Sequence, residues 1–198
     1  SGRLRASSGQ VLLGDTRVDG RPVYTNCAGG LVRSFQQTAT FSGYTVEDNL
    51  ISACRFSGGN RSVLERLAPL LAQFGLIENW HRNADVLPYG LQKMLGLTMA
   101  LATQPRMLLL DEPAAGLEKN ERSNIDAYVR FAQQELGCGV LLVEHDMDLV
   151  KRLCPYVIVL DGGRLIAEGA PAEVLARKDV IDAYLGGSDE EDDDAQHS

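Results

Sequence analysis

Two carboxylates side by side at the end of an apolar run, in Leu108-Leu109-Leu110-Asp111-Glu112-Pro113, are the residues of this chain best suited to chemistry. A buried strand that ends in Asp-Glu delivers both acids to a sheet edge. In open α/β sheets, ligands gather outside the carboxyl ends of the strands. Asp111 suits a magnesium ion and Glu112 suits polarising an attacking water, because phosphoryl transfer needs chiefly positioning, charge neutralisation and an oriented nucleophile. About thirty residues later, a spacing expected of a β-α-β unit, Leu141-Leu142-Val143-Glu144-His145-Asp146 ends a second apolar run with a histidine at the same edge. A neutral imidazole at His145 is placed to sense a terminal phosphate.

Those residues need strands to carry them. Met107 to Leu110, Val140 to Val143 and Val157 to Leu160 are continuous apolar runs rather than alternating ones, as expected of parallel strands buried on both faces, and all three read as central strands. Between the first two lies Glu121 to Leu136, with Ile125, Tyr128, Val129 and Ala132 on one helical face and Gly137 placed to stop the helix. A second helix, Met147 to Leu153, separates the second and third runs. The alternation predicts an α/β fold with an open sheet.

Upstream, Val11 to Leu13 and Arg17 to Val18 are short strand-like pieces around Gly14-Asp15, and Gly30 to Phe35 is another, so residues 1–44 are expected to be β-rich. From 45 to 103 the pattern is helical. It opens with Thr45-Val46-Glu47-Asp48, whose threonine can cap a helix and whose acids favour its N-terminus. This stretch reads as an inserted helical subdomain, and residues 104–187 as the α/β core. Asp161-Gly162-Gly163 reads as a tight hairpin, and the tail from 188 to 198 has too little apolar content to order itself.

Composition narrows the function classes. With 198 residues and 44% hydrophobic content, the chain is long enough to bury a substantial core. Its net charge is −8, but Asp189, Glu190, Glu191, Asp192, Asp193 and Asp194 supply six of those negatives, so the remainder is nearly neutral. With a pI of 4.9 and no basic stripe, nucleic acid is not an expected partner. Cys27, Cys54, Cys138 and Cys154 lie far apart, without zinc or disulfide spacing, and suit a reducing cytoplasm. No stretch approaches the roughly 20 apolar residues of a membrane span, so membrane association is expected through a partner.

Leu87-Pro88-Tyr89-Gly90-Leu91-Gln92-Lys93, then Asp111-Glu112-Pro113-Ala114-Ala115-Gly116-Leu117, then Glu144-His145-Asp146-Met147 resemble, in order and spacing, the ATPase subunit of ABC transporters. Ala114 to Leu117, Val143 to Met147 and Val180 to Gly186 resemble branched-chain amino acid importers in particular. The resemblance runs from residue 1 to about 187. It implies a P-loop NTPase-like fold, ATP and Mg2+ as cofactors, and transport of amino acids, such as branched-chain ones, or a similar polar solute. It further implies membrane-spanning permease subunits and a second ATPase subunit as partners, at the cytoplasmic face of the inner membrane. By the resemblance, Asp111 belongs to the metal, Glu112 and His145 to hydrolysis, and Gln36 is the Q-loop glutamine that touches magnesium. Leu87, Pro88, Tyr89, Gly90 and Leu91 match the signature motif, which takes the γ-phosphate of ATP held by the opposing subunit. Glu118 stands where the D-loop usually has aspartate.

Pro88 stands where the signature usually has serine, removing a hydroxyl and an N–H, and Leu91 stands where it usually has glutamine. No Gly-x-x-x-x-Gly-Lys-Ser/Thr run occurs in the 198 residues, so the expectation is an N-terminally truncated chain, inactive by itself. Lacking the strand and helix of that loop, its sheet is expected to expose apolar surface. Two other readings stand beside the transporter ATPase. One is a non-catalytic chain that only docks or dimerises. The other is an ABC-type ATPase of DNA repair, disfavoured because no long heptad pattern is present.

Overall fold

The computed structural model describes residues 2, 4–34, 40–56, 58 and 61–186. Gln36 and the acidic tail fall outside them. The chain forms two compact units, residues 1–144 and 145–198.

In the first unit, β1 (Leu12–Leu13) and β2 (Thr16–Arg17) pair antiparallel around Gly14, which takes φ +59°. A short helix, α1 (Val23–Ala28), follows Pro22, and the buried Asn26 amide donates to the Val18 carbonyl at 2.9 Å. This helix stands among three strands in the stretch expected to be β-rich. Its six residues bury only Asn26, so it carries no apolar period that a sequence pattern could reveal.

β3 (Leu31–Arg33) leads through three helices, α2 (Val46–Phe56), α3 (Ser62–Gln73) and α4 (Tyr89–Ala102), with a 3-10 turn at Ala84–Val86 before α4. Thr45 opens α2 as a cap: its Oγ1 accepts from Asp48 N at 3.1 Å and donates to Asp48 Oδ2 at 2.6 Å. The chain then returns as β4 (Met107–Asp111), crosses through α5 (Ser123–Gln134) and ends the unit in β5 (Gly139–Val143). β3, β4 and β5 form one parallel sheet in that order, with Arg33 opposite Leu109 and Asp111 opposite Val143. The central strand β4 thereby brings its acidic end between its two neighbours.

α4 is buried almost all round, as a helix with so little polar surface must be. α5 turns Ile125, Tyr128, Val129 and Ala132 inward, and the fully buried Tyr128 hydroxyl donates to the Leu97 carbonyl of α4 at 2.8 Å. Leu108 and Leu110 of β4 are buried as well. The opposite face of β5 is not covered among the described residues: Leu141 is 52% exposed and Val143 56%. The strand therefore alternates where burial on both faces was expected.

The second unit holds α6 (Met147–Leu153), β6 (Val157–Asp161), β7 (Arg164–Gly169), α7 (Pro171–Val174) and α8 (Lys178–Gly186). Ala167, Val174 and Val180 make its core, with Val157, Val159, Ile166 and Leu175 packed against them. The expectation that Val157 to Leu160 is a central parallel strand is corrected. β6 pairs antiparallel with β7 across a turn at Gly162 (φ +51°) and Gly163 (φ +79°). Ile158 and Leu160 stay exposed. A continuous apolar run does not distinguish a central strand from one arm of a hairpin.

Candidate functional site

Asp111 and Glu112 emerge at the carboxyl end of β4, where the sheet register sets them beside the ends of β3 and β5. Arg33, at the end of β3, donates from Nη2 to Asp111 Oδ2 at 2.7 Å, and both side chains are 34% exposed. Asp111 is thus ion-paired in this arrangement. Glu112 leaves the strand with φ +45°, the left-handed region that non-glycine residues rarely enter. Its N–H still donates to the Val143 carbonyl at 2.9 Å, and its own carbonyl accepts from Ala115 N at 3.1 Å, closing a turn.

That turn is held from three sides. Glu144, just past β5, accepts from Ala114 N at 3.1 Å through Oε1. Lys93 of α4, only 5% exposed, donates from Nζ to the Ala115 carbonyl. The Tyr89 ring, one turn earlier on α4, lies so close to Gly116 that a Cβ there would come within 2.9 Å of Tyr89 Cε1. Gly116 takes φ +75°, so glycine is required on both counts. Lys93 also lies 5.9 Å from the Tyr89 ring centroid. Burial lowers the Lys93 pKa below its ordinary value, and the Glu144 and then the Glu112 carboxylates oppose that shift.

The segment Leu87 to Leu91 meets this turn at the start of α4. Leu87 is buried, Pro88 stands at the N-cap position of the helix with φ −53° and ψ 149°, and Gln92 Nε2 donates back to the Leu87 carbonyl at 2.9 Å. Gly90 is buried beneath Glu121, whose carboxylate occupies the space a Cβ would need. Glu121 Oε2 in turn accepts from Glu118 N at 3.0 Å, and Glu118 itself is exposed.

Within the first unit, then, Asp111, Glu112 and the residues 87–91 are joined through the turn 112–116. His145 belongs to the second unit, where it is exposed and its carbonyl accepts from the Tyr184 hydroxyl at 3.2 Å. Asp146 caps α6 by accepting from Asp148 N and Leu149 N. Gln36 lies outside the described residues. Arg33, Lys93, Glu121 and Glu144 are site residues that pattern reading assigned no role. Lys93 alone left a signal, as a single lysine on a helix otherwise apolar on that side.

Carboxylates without a dedicated cage can hold magnesium only when phosphate oxygens complete the shell, since magnesium keeps an octahedral set and is usually bound through one or two carboxylates. No group of three or more His, Cys, Asp or Glu among the described residues is arranged to hold a metal ion. Asp111 offers a single carboxylate at this edge, ion-paired with Arg33 at 2.7 Å.

The chain is similar to known proteins along most of its length. The family profile described as ABC transporter matches residues 1–115, and one described as branched-chain amino acid ATP-binding cassette transporter matches residues 164–190. The high-affinity branched-chain amino acid transport ATP-binding protein LivG of Escherichia coli is 34% identical over 202 residues, covering 94% of this chain and 79% of LivG. BraF of Pseudomonas aeruginosa, which bears the same description, is 32% identical over the same shares of the two chains. Among solved structures, cbiO1 from Clostridium perfringens, part of the ABC transporter complex cbiONQ, superposes with a TM-score of 0.75 at 28% identity, over 91% of this chain and 73% of its own. An ATP-binding cassette of an ABC transporter in its ADP conformation gives 0.78 at 25% identity, over 94% and 80%.

Proposed function

The chain belongs to the ABC transporter ATP-binding family, and on that premise we propose that it serves as the ATP-hydrolysing subunit of an importer of amino acids or a similar polar solute. The observation that carries this reading is the 34% identity to LivG over 94% of the chain, joined by the branched-chain profile at residues 164–190. No helix among the described residues is long and apolar enough to cross a membrane. In this reading the subunit sits on the cytoplasmic side beneath permease subunits and works with a second ATPase subunit.

Asp111 holds magnesium, which supplies charge neutralisation on the phosphate oxygens when nucleotide is bound. Glu112 orients and polarises the attacking water, and His145 senses the γ-phosphate. Gln36 reports the metal to the permease. Leu87 to Leu91 present the N-terminus of α4 to nucleotide on the opposing subunit, with Pro88 preorganising the entry. Glu118 lines the contact between the two subunits. Because no Gly-x-x-x-x-Gly-Lys-Ser/Thr run occurs in the 198 residues, hydrolysis by this stretch alone is not expected. That same feature supports the second reading, a chain that docks without catalysing.

Uptake separates the two. Proteoliposomes carrying the subunit with its permease partners should accumulate labelled amino acid when ATP is enclosed, and not when ADP is. Uptake that is the same with either nucleotide, beside intact assembly, would favour the docking reading.

A further inference from the structure

We propose that Lys93 is a positioning residue for Glu112: with Tyr89 and Glu144 it clamps the turn 112–116 so that the Glu112 backbone is kept in its left-handed conformation. The inference rests on the reading of Glu112 as the residue that orients water.

Four observations support it. Glu112 takes φ +45°, and a non-glycine residue stays in such a region only when its surroundings over-determine it. The surroundings do so one residue at a time: Glu144 holds the Ala114 N–H, Lys93 holds the Ala115 carbonyl, and the Tyr89 ring covers Gly116. Lys93 is buried at 5% exposure, and a buried ammonium is tolerated only where dipoles and opposite charges compensate it. Those compensating groups are the Ala115 carbonyl, the Tyr89 ring at 5.9 Å, and the carboxylates of Glu144 and Glu112. A methionine of similar length would fill the space at lower desolvation cost, so the charge at this position acts on the turn rather than on the packing of α4.

The clamp has a direction. Lys93 and Tyr89 both ride on the first turns of α4, and the turn they hold begins at Glu112. A shift of the α4 N-terminus therefore reaches the turn at Ala115 and Gly116 through two side chains, beside the bond that ties the Glu112 N–H to the Val143 carbonyl of the sheet.

The test uses Lys93→Met and Lys93→Arg in this chain and in the assembled transporter. In the chain, amide hydrogen exchange over residues 114–117 should speed up at least about tenfold in Lys93→Met, stay near wild type in Lys93→Arg, and remain unchanged in α2 and α3. In the transporter, Lys93→Met should lower kcat for ATP by at least about tenfold with KM little changed, and should add nothing in a Glu112→Gln background. Tyr89→Leu, which removes only the ring over Gly116, should speed the same amides and guards against a Lys93→Met chain that fails to fold. Unchanged exchange at 114–117 in both Lys93→Met and Tyr89→Leu would overturn the clamp. A wild-type transporter that hydrolyses no ATP would count against the reading of Glu112 while leaving the exchange result to decide the clamp.

Discussion

Arg33, the last residue of β3, is ion-paired at 2.7 Å with Asp111, the last residue of β4, across 78 residues of sequence. The pair ties the two strand ends together at the edge where the candidate site opens. Both side chains are one-third exposed, so water screens the attraction, and a pair of this kind contributes about 0.5–1 kcal/mol. A double-mutant cycle of Arg33→Gln and Asp111→Asn, read by urea unfolding, should return a coupling of that size that shrinks in high salt. A coupling of zero at low salt would mean that the pair does not stabilise the edge.

Gly90 and Glu121 form a second such relationship. A Cβ at position 90 displaces the Glu121 carboxylate, which then loses its bond from Glu118 N. Gly90→Ala should therefore cost about 0.5–1.5 kcal/mol, the worth of one hydrogen bond. In a Glu121→Ala background the same change should be neutral or stabilising, because alanine favours helix over glycine. Equal losses in both backgrounds would point to backbone contacts instead.

Much of this arrangement was legible before the structure, and the exceptions share a cause. Met147 to Leu153 and the strands bearing Asp111 and Val143 follow apolar runs bounded by charged or turn residues, which are local signals. The Asp161-Gly162-Gly163 turn was equally visible. What escaped is tertiary. Val157 to Leu160 has the composition of a central strand, and its pairing shows an antiparallel hairpin arm instead of a parallel neighbour of β5. Lys93 and Ala115 are 22 residues apart, and Glu144 and Ala114 are 30 apart, so no window of sequence contains either contact. Helix α1, with one buried residue in six, had no pattern to read.

Cys138 supplies a prediction in pH. Burial pushes its thiol up from 9 to about 11, so the folded chain holds the proton more tightly than the unfolded chain does. The associated stability is fully present below pH 9 and is lost as pH rises from 9 towards 11. Urea midpoints measured at pH 8 and pH 10.5 should fall more for the wild type than for Cys138→Ala, which lacks the group. A fall of the same size in both would assign the alkaline loss to other residues.

The role of Glu112 is tested most directly by steady-state ATP turnover of the transporter assembled with its permease subunits, wild type beside Glu112→Gln, with nucleotide affinity measured in parallel. Glu112→Gln should lower turnover by about 100-fold or more, the usual worth of a positioned general base, while the protein still binds nucleotide. Turnover that continues at the wild-type rate in Glu112→Gln would contradict the assignment and move the water-orienting role to another residue.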